Sequence, residues 1–590
     1  MKMDYSLRYS VLKIGFWLVA ATLIFQLVRL QVIPDKEVFV AQEQAFLESL
    51  ETIHPPRGLI YDRSGYILAA NQTVYEVGIN LQEKNRSPET IAMAAKGILG
   101  LDYYKVYADA SQPTTEEPRF VVIANYVPAE QIEQLEAVRE SYADSENPYL
   151  DSNGRPLTLI GLETRPHLIR AYPEGELAYN VLGFVNLEGS GAFGVEGRYD
   201  RLLTGEPLYL RVSNDPSRPT VLPAMPDGAS LILTIDREIQ AMVEEILKST
   251  LESTGAEAGT ILVMQPETGE MLAMASAPQL NPNEYWDFAD TYGESNDIFY
   301  NMAISSYEPG SVFKIITMAT ALELDVVEPD TVYIDTGNIN VGGIPIYNWD
   351  GGAWGPQTML GCMQHSLNVC LAYVATQIGA PDFYASIDDF GFGRITGIEL
   401  AGESAGEVRR HTDGNWYPSD LATNSFGQGI AVTPVQMITA LSALANDGQM
   451  VTPHIVQAII DQGRQYNTTP QVIASPVSAE TARTITEMLA VSLEQEASVA
   501  LVEGYRVAGK TGTAEIPTQY GYTSDLTNAS FAGWGPVDDP QFLVYIWLQK
   551  PASSPWGSVV AAPVFRQVVE RLVVLMDIPP DQIRLAMAMP

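Results

Sequence analysis

Hydrophobic and polar positions change their rhythm several times along the chain. Residues 11–33, VLKIGFWLVAATLIFQLVRLQVI, are apolar almost without interruption. As a helix they reach about 34 Å, enough for a bilayer core of roughly 30 Å. Beyond them, to about residue 220, the alternating runs GLIYDRSGYILA and YEVGINL predict hairpin strands. The polar stretches ASQPTTEEP and YADSENPYLDSNGRP predict exposed loops or insertions. At SNDPSRPTVLPAMPDGAS the composition turns to Pro, Ser and Asp, which marks a domain boundary.

Past that boundary, LILTIDREIQAMVEEILKSTLE predicts a strand followed by an amphipathic helix. GTILVMQPETGEMLAMAS predicts two strands around a Pro/Gly turn. Helices dominate until GYRVAGKTGTAE, and QFLVYIWLQ with APVFRQVVERLVVLM reads as a strand and a final helix. Strands at both ends of a helical middle predict an α+β domain whose sheet uses both termini. The expected organisation is a tail (1–10), a transmembrane anchor (11–33), an extended mixed N-terminal module with polar insertions (34–220), the α+β domain (221–580) and a C-terminal tail (581–590).

Composition refines this picture. The chain has 590 residues, 46% of them apolar, and a net charge of −38. So acidic a surface repels phosphate backbones and argues against nucleic-acid binding. Lys2 and Arg8 precede the apolar run, and acidic residues dominate the chain beyond it. The positive-inside rule therefore places the N-terminus in the cytoplasm and the bulk outside, on a single-pass anchor. The run continues past Ala20 and Ala21 with no small-x-small cleavage site, which favours an anchor over a cleaved signal. If the segment joining Cys362 and Cys370 is helical, their Cα atoms lie about 12 Å apart. That is too far for a disulfide, so both are expected as small core residues. His54, His167, His365, His411 and His454 have no metal-ligand spacing, and no metal site is expected.

The candidate chemistry starts at EPGSVFKIIT, residues 308–317. It reads as a helix start that carries Lys314 into an apolar run, three residues after Ser311. Positions i and i+3 share a helix face. A serine needs an adjacent base, and a lysine serves once burial and nearby positive charge lower its pKa. S-x-x-K alone is a weak signal, since Ser10 and Lys13 match it at the mouth of the apolar run. HSLNVC adds Ser366 and Asn368 as an S-x-N, which has its own decoy at Ser145 and Asn147. VAGKTGTAE adds Lys510, Thr511, Gly512 and Thr513. Gly512 lets a substrate backbone approach the strand, while Lys510 and the threonine hydroxyls offer a seat for a carboxylate. Four of the ten lysines fall after residue 230, and two of those four sit in these motifs.

The order S-x-x-K, S-x-N, K-T-G resembles the penicilloyl-serine signature. With PPRGLIYDRSGYILAAN, RPHLIRAYPEGELAYNVLGFVN, GVEGRYDRLLTGEP, LTIDREIQ, PETGEMLAMASAP and FGQGIAVTPVQMITALSALANDG, the chain resembles the class B penicillin-binding proteins. These are membrane-anchored peptidoglycan D,D-transpeptidases. The resemblance implies a pedestal or dimerisation-type N-terminal module and a penicillin-binding domain with an antiparallel sheet and helices. It implies Ser311 as acylated nucleophile, Lys314 as its base and Ser366 as proton carrier to the leaving amine. Asn368 would hold the acyl-donor peptide, and Lys510, Thr511 and Thr513 the terminal carboxylate of D-Ala-D-Ala. The N–H groups of Ser311 and Thr513 would form the oxyanion hole. No cofactor is implied. Implied partners are the stem peptide on lipid-linked glycan, β-lactams, a SEDS-type glycosyltransferase and other division proteins. VDDPQFLVYIWLQKPASSPWGSVVAAPVFRQVVERL and FGFGRITGIELAGESAGEV resemble the cell-division branch more than the elongation branch. A serine β-lactamase, a β-lactam sensor and a catalytically dead division scaffold are the rival readings.

Overall fold

The computed structural model describes residues 5–32, 48–115, 119–143, 149–150, 156–213, 225–287, 301–496, 498–518 and 521–588. The decoy Ser145/Asn147, most of the YADSENPYLDSNGRP loop, part of the ASQPTTEEP loop and most of the Pro/Ser/Asp boundary lie outside the described residues.

The chain forms two compact units. One comprises residues 1–56 and 204–228. It contains helix α1 (Tyr5–Val32), of which Tyr9–Arg29 is long and apolar enough to cross a membrane. Ser10 and Lys13 lie on this helix. The same unit holds the antiparallel strands Glu48–Ile53 and Leu208–Ser213.

The other unit comprises residues 57–203 and 229–590. Ile60–Tyr61 and Ile67–Asn80 form the expected hairpin, but YEVGINL is no separate strand; it completes the long strand Ile67–Asn80. That strand also pairs with Phe120–Pro128 and Leu162–Ala171. The sheet continues through Ser230–Leu233, parallel to Ile60–Tyr61, into Val456–Asp461. LILT is thus a strand as expected, yet it belongs to a sheet that runs across the anticipated boundary. Alternation identifies a strand without identifying its partner.

A buried ion network ties this region together. Glu196 is 0% exposed and accepts hydrogen bonds from Arg57 Nε at 2.7 Å and Arg170 Nε at 2.6 Å. Arg57 also reaches Asp200, and Arg170 donates to the Gly58 carbonyl.

The second sheet carries the candidate chemistry. Its strands are β1 (Ala258–Met264), β2 (Met271–Ala277), β3 (Ala508–Thr518), β4 (Gly521–Gly535) and β5 (Phe542–Gln549). They lie in the order β2-β1-β5-β4-β3, antiparallel throughout, so both ends of the domain do build one sheet. β3 is an edge. The unbroken apolar run FLVYIWL reflects burial on both faces. Phe542, Val544, Ile546 and Leu548 enter one core, while Leu543, Tyr545 and Trp547 enter the other. The first face is covered by α2 (Arg237–Thr254) and by Ala562–Leu575. In α2, Ile239, Met242, Val243, Ile246 and Leu247 recur at helical spacing and are buried. Asp236 caps its start, and Gly255, at φ +67°, ends it. Residues 581–590, expected as a tail, contain the helix Asp581–Ala588, held by Arg584 pairs to Asp538 and Asp581.

Cys362 and Cys370 form a disulfide with Cα atoms 6.1 Å apart, which overturns their reading as unpaired core residues. The error lies in the assumed helix. Helix α3 (Met359–Gln364) stops before Ser366, whose φ is +55°. Leu367 is extended and a new helix, α4 (Asn368–Ile378), begins. The turn folds the two cysteines back onto each other around S-x-N.

Both the ion network and the disulfide are open to direct test. Glu196→Ala leaves two poorly exposed guanidinium groups without their shared carboxylate, and should cost about 3–5 kcal/mol. Chemical denaturation measures it, and a loss under about 1 kcal/mol would contradict the network's role. Cys362→Ala with Cys370→Ala should lower stability by about 2–3 kcal/mol under oxidising conditions, from chain entropy alone. An unchanged unfolding midpoint would contradict the bond.

Candidate active site

Pro309 and Gly310 set the entry of the segment that bears Ser311. Gly310 has φ +60°, and a Cβ there would fall 2.6 Å from the Thr513 carbonyl oxygen. Only glycine fits this close approach without strain. Gly310 N–H donates to the Gly427 carbonyl at 3.0 Å. A single tight turn, Gly310–Phe313, then leads into helix α5 (Lys314–Glu323). Ser311 therefore lies in the tight turn and Lys314 opens the α-helix, with Ser311 half-buried and Lys314 0% exposed.

Lys314 crosses to the S-x-N segment. Its Nζ donates to the Ser366 carbonyl at 2.6 Å and to Asn368 Oδ1 at 2.7 Å, and it lies 3.2 Å from the Ser366 hydroxyl. Burial lowers its pKa well below the usual lysine value, and the charge of Lys510 lowers it further. A neutral amine has two N–H donors and one lone pair. The two short bonds use the donors, and the lone pair is left to accept a hydroxyl proton. The left-handed backbone at Ser366 makes the geometry possible, because it turns both carbonyl and hydroxyl toward one nitrogen. Asn368 also donates from Nδ2 to the Tyr347 carbonyl at 3.2 Å. Leu367, the middle residue, is buried in the core and faces away from this cluster.

Lys510 to Thr513 lie on edge strand β3. Alternation puts Lys510 and Gly512 on one face and Thr511 and Thr513 on the other. Lys510 is 5% exposed and both threonines are half-buried. Burial lowers the Lys510 pKa to about 8, against the opposing pull of the Glu496 carboxylate. Gly512 is required on the protein's own side, since a Cβ would collide with Ser530 Oγ on β4 and crowd Val312. Thr513 Oγ1 accepts from the Gly557 N–H at 3.1 Å.

The structure thus joins Lys314, Ser366 and Asn368 by direct hydrogen bonds, and seats the Ser311 turn against Thr513. Lys510 acts on Lys314 through charge. Sequence reading missed Gly427 and Glu496. Gly427 sits in FGQG, where two glycines flank one polar residue, but its contact with Gly310 is made across 117 positions of the chain. Nothing local to Glu496 marks it.

Comparison with known proteins agrees with this geometry. The penicillin-binding protein transpeptidase domain family matches residues 259–570, and the penicillin-binding protein dimerisation domain family matches residues 52–218. Stage V sporulation protein D of Bacillus subtilis is 31% identical over 87% of this chain and 77% of its own length. Peptidoglycan D,D-transpeptidase FtsI of Escherichia coli is 29% identical over 98% of this chain and 93% of its own. The solved structure of penicillin-binding protein 3 of Mycobacterium tuberculosis with aztreonam has a TM-score of 0.68 and 25% identity. It covers 90% of this chain and 98% of that one. The chain belongs to the class B penicillin-binding proteins and is a serine-type D-Ala-D-Ala transpeptidase of peptidoglycan.

Proposed function

We propose that the chain cross-links stem peptides during septal wall synthesis, through an acyl-enzyme on Ser311. The observation that carries this reading is the buried Lys314 amine, hydrogen-bonded to Ser366 and Asn368 one turn from Ser311. Neutral Lys314 takes the proton of Ser311 Oγ, which attacks the carbonyl between the two D-alanines. The tetrahedral oxyanion is held by the N–H groups of Ser311 and Thr513, the electrostatic term that dominates acyl transfer. The proton passes through Ser366 to the departing D-Ala amine. The hydroxyls of Thr511 and Thr513 hold the terminal carboxylate, which the charge of Lys510 on the same edge strand attracts. Asn368 exchanges the Tyr347 carbonyl for the donor peptide. A β-lactam opens on the same serine.

The septal assignment is supported by the resemblance of residues 390–408 and 537–572 to the cell-division branch. The sporulation relative favours a second reading, cross-linking confined to spore formation. Depletion during growth separates them: filaments without septa support the first, and normal division with defective spores supports the second. We infer that α1 anchors the chain with its N-terminus in the cytoplasm, that the exterior domain acts on lipid-linked glycan, and that a SEDS-type glycosyltransferase is its partner. A buried disulfide is consistent with an extracytoplasmic location.

Incubation of the full-length protein in detergent with a fluorescent penicillin tests the site. Wild type should form one stable adduct on the Ser311 peptide, and Ser311→Ala none. Lys314→Met should acylate about 10²–10⁴-fold more slowly. An adduct in Ser311→Ala, or rapid turnover of the penicillin, would contradict the reading. The acylation rate should also be bell-shaped in pH. It rises as Lys314 loses its proton, because the base must be neutral. It falls above about pH 8, where Lys510 loses the charge that holds a carboxylate. The fall should approach about tenfold per pH unit and vanish in Lys510→Arg, whose guanidinium stays charged. An alkaline limb unchanged in Lys510→Arg would exclude Lys510 as its source.

A further inference from the structure

Two exposed indoles face each other beside the Lys314 cluster. Trp349 is 52% exposed and Trp556 is 41% exposed, with ring centroids 5.4 Å apart and planes at 70°. Each ring is tied to a different wall of the site. Trp349 follows the hairpin Asn338–Val341/Ile344–Tyr347, and its Nε1 donates to the carbonyl of His365, the residue before Ser366. The same hairpin supplies the Tyr347 carbonyl that receives Asn368 Nδ2. Trp556 immediately precedes Gly557, whose N–H donates to Thr513 Oγ1 and whose Cα lies so near the Gly512 carbonyl that a Cβ would collide with it. The pair therefore bridges from the S-x-N side to the K-T-G side.

Exposed tryptophans in edge-to-face contact between two segments of the site offer an apolar binding surface rather than a core. Edge strand β3 carries the groups that hold the donor's carboxylate, so the donor occupies the strand side. Asp350 follows Trp349 directly, is exposed, and already accepts from Trp354 Nε1 and Gly352 N–H. An exposed indole pair with a carboxylate on the residue that follows one of the rings suits a methylene chain that ends in an ammonium group. The donor leaves no such cation at the reacting carbonyl, whereas the acceptor must bring an amine.

We propose that Trp349 and Trp556 form the acceptor subsite, gripping the aliphatic, amine-bearing side chain of the second stem peptide. The rings part to admit it, and Asp350 attracts its charge. The ammonium releases one proton to solvent. The free amine then attacks the Ser311 ester carbonyl, the C–N bond forms, the C–Oγ bond breaks, and the second amine proton returns to Ser311 Oγ. This rests on the acyl-enzyme reading, since an acceptor has no role without it.

The test uses full-length protein in detergent, a thioester of an N-acyl-D-alanine as acyl donor and Nα-acetyl-lysine amide as acceptor. The readout is the ratio of aminolysis to hydrolysis, which does not depend on how much enzyme is folded. Trp349→Ala and Trp556→Ala should each lower the ratio about tenfold, and Trp349→Phe should retain it within about threefold. A ratio unchanged in both alanine variants overturns the proposal. So does slower consumption of thioester at an unchanged ratio, which would assign the rings to the donor. Thioester hydrolysis by wild type without any aminolysis overturns the subsite alone. No acyl-enzyme in wild type would instead overturn the reading beneath it.

Discussion

Taking an ammonium group out of water costs several kcal/mol unless it is paired or discharged. Lys314 is 0% exposed, and its hydrogen bonds go to a carbonyl, an amide oxygen and a hydroxyl rather than to a carboxylate. Lys510 lies close enough to add repulsion. Discharge is the cheaper solution, and a discharged lysine beside a serine is a base. The site's chemistry thus depends on where the fold buries one side chain. Everything around it serves to keep that nitrogen dry and its lone pair free.

Three local devices maintain this state. The Ser311 turn is wedged between Gly427 and β3, with Gly310 in a conformation that suits glycine. The S-x-N turn depends on a positive φ at Ser366, a conformation that serine seldom adopts. Helices α3 and α4 flank that turn, and the Cys362–Cys370 bond links them across it. The third device is Gly512, which lets β3 lie against β4 and Val312 without a side chain between them. Together they gather the Ser311 turn, the S-x-N turn and β3 around one buried amine.

Much of this was legible from sequence. The α+β class is readable in the strand patterns at both ends of a helical middle, and FLVYIWL reads as a strand, whose burial on both faces emerges only from the two cores it enters. The three motifs, read with their order, point to residues that the fold gathers, because spacing within each motif is local. What escaped was contact between segments. Cys362 and Cys370 read as one helix because no residue between them is proline or glycine, and a positive φ at a serine leaves no signature. Leu231 reads as the start of a second domain, yet its strand pairs with Ile60–Tyr61. Glu496 influences Lys510 only after α6 (Ala479–Glu496) has been packed against β3.

The mechanism requires Lys314 to be neutral in the resting enzyme. Carbon NMR of protein labelled at the lysine ε-carbons reports it directly, with the Lys314 signal assigned by its absence in Lys314→Met. The buried site predicts that the signal passes from the ammonium to the neutral-amine position well below the pH at which an ordinary lysine titrates. It also predicts that Lys510→Met raises the pH of that transition, because a repelling charge is gone. A Lys314 signal that stays at the ammonium position up to about pH 10, as for an ordinary lysine, would contradict the account and leave Ser311 without its base.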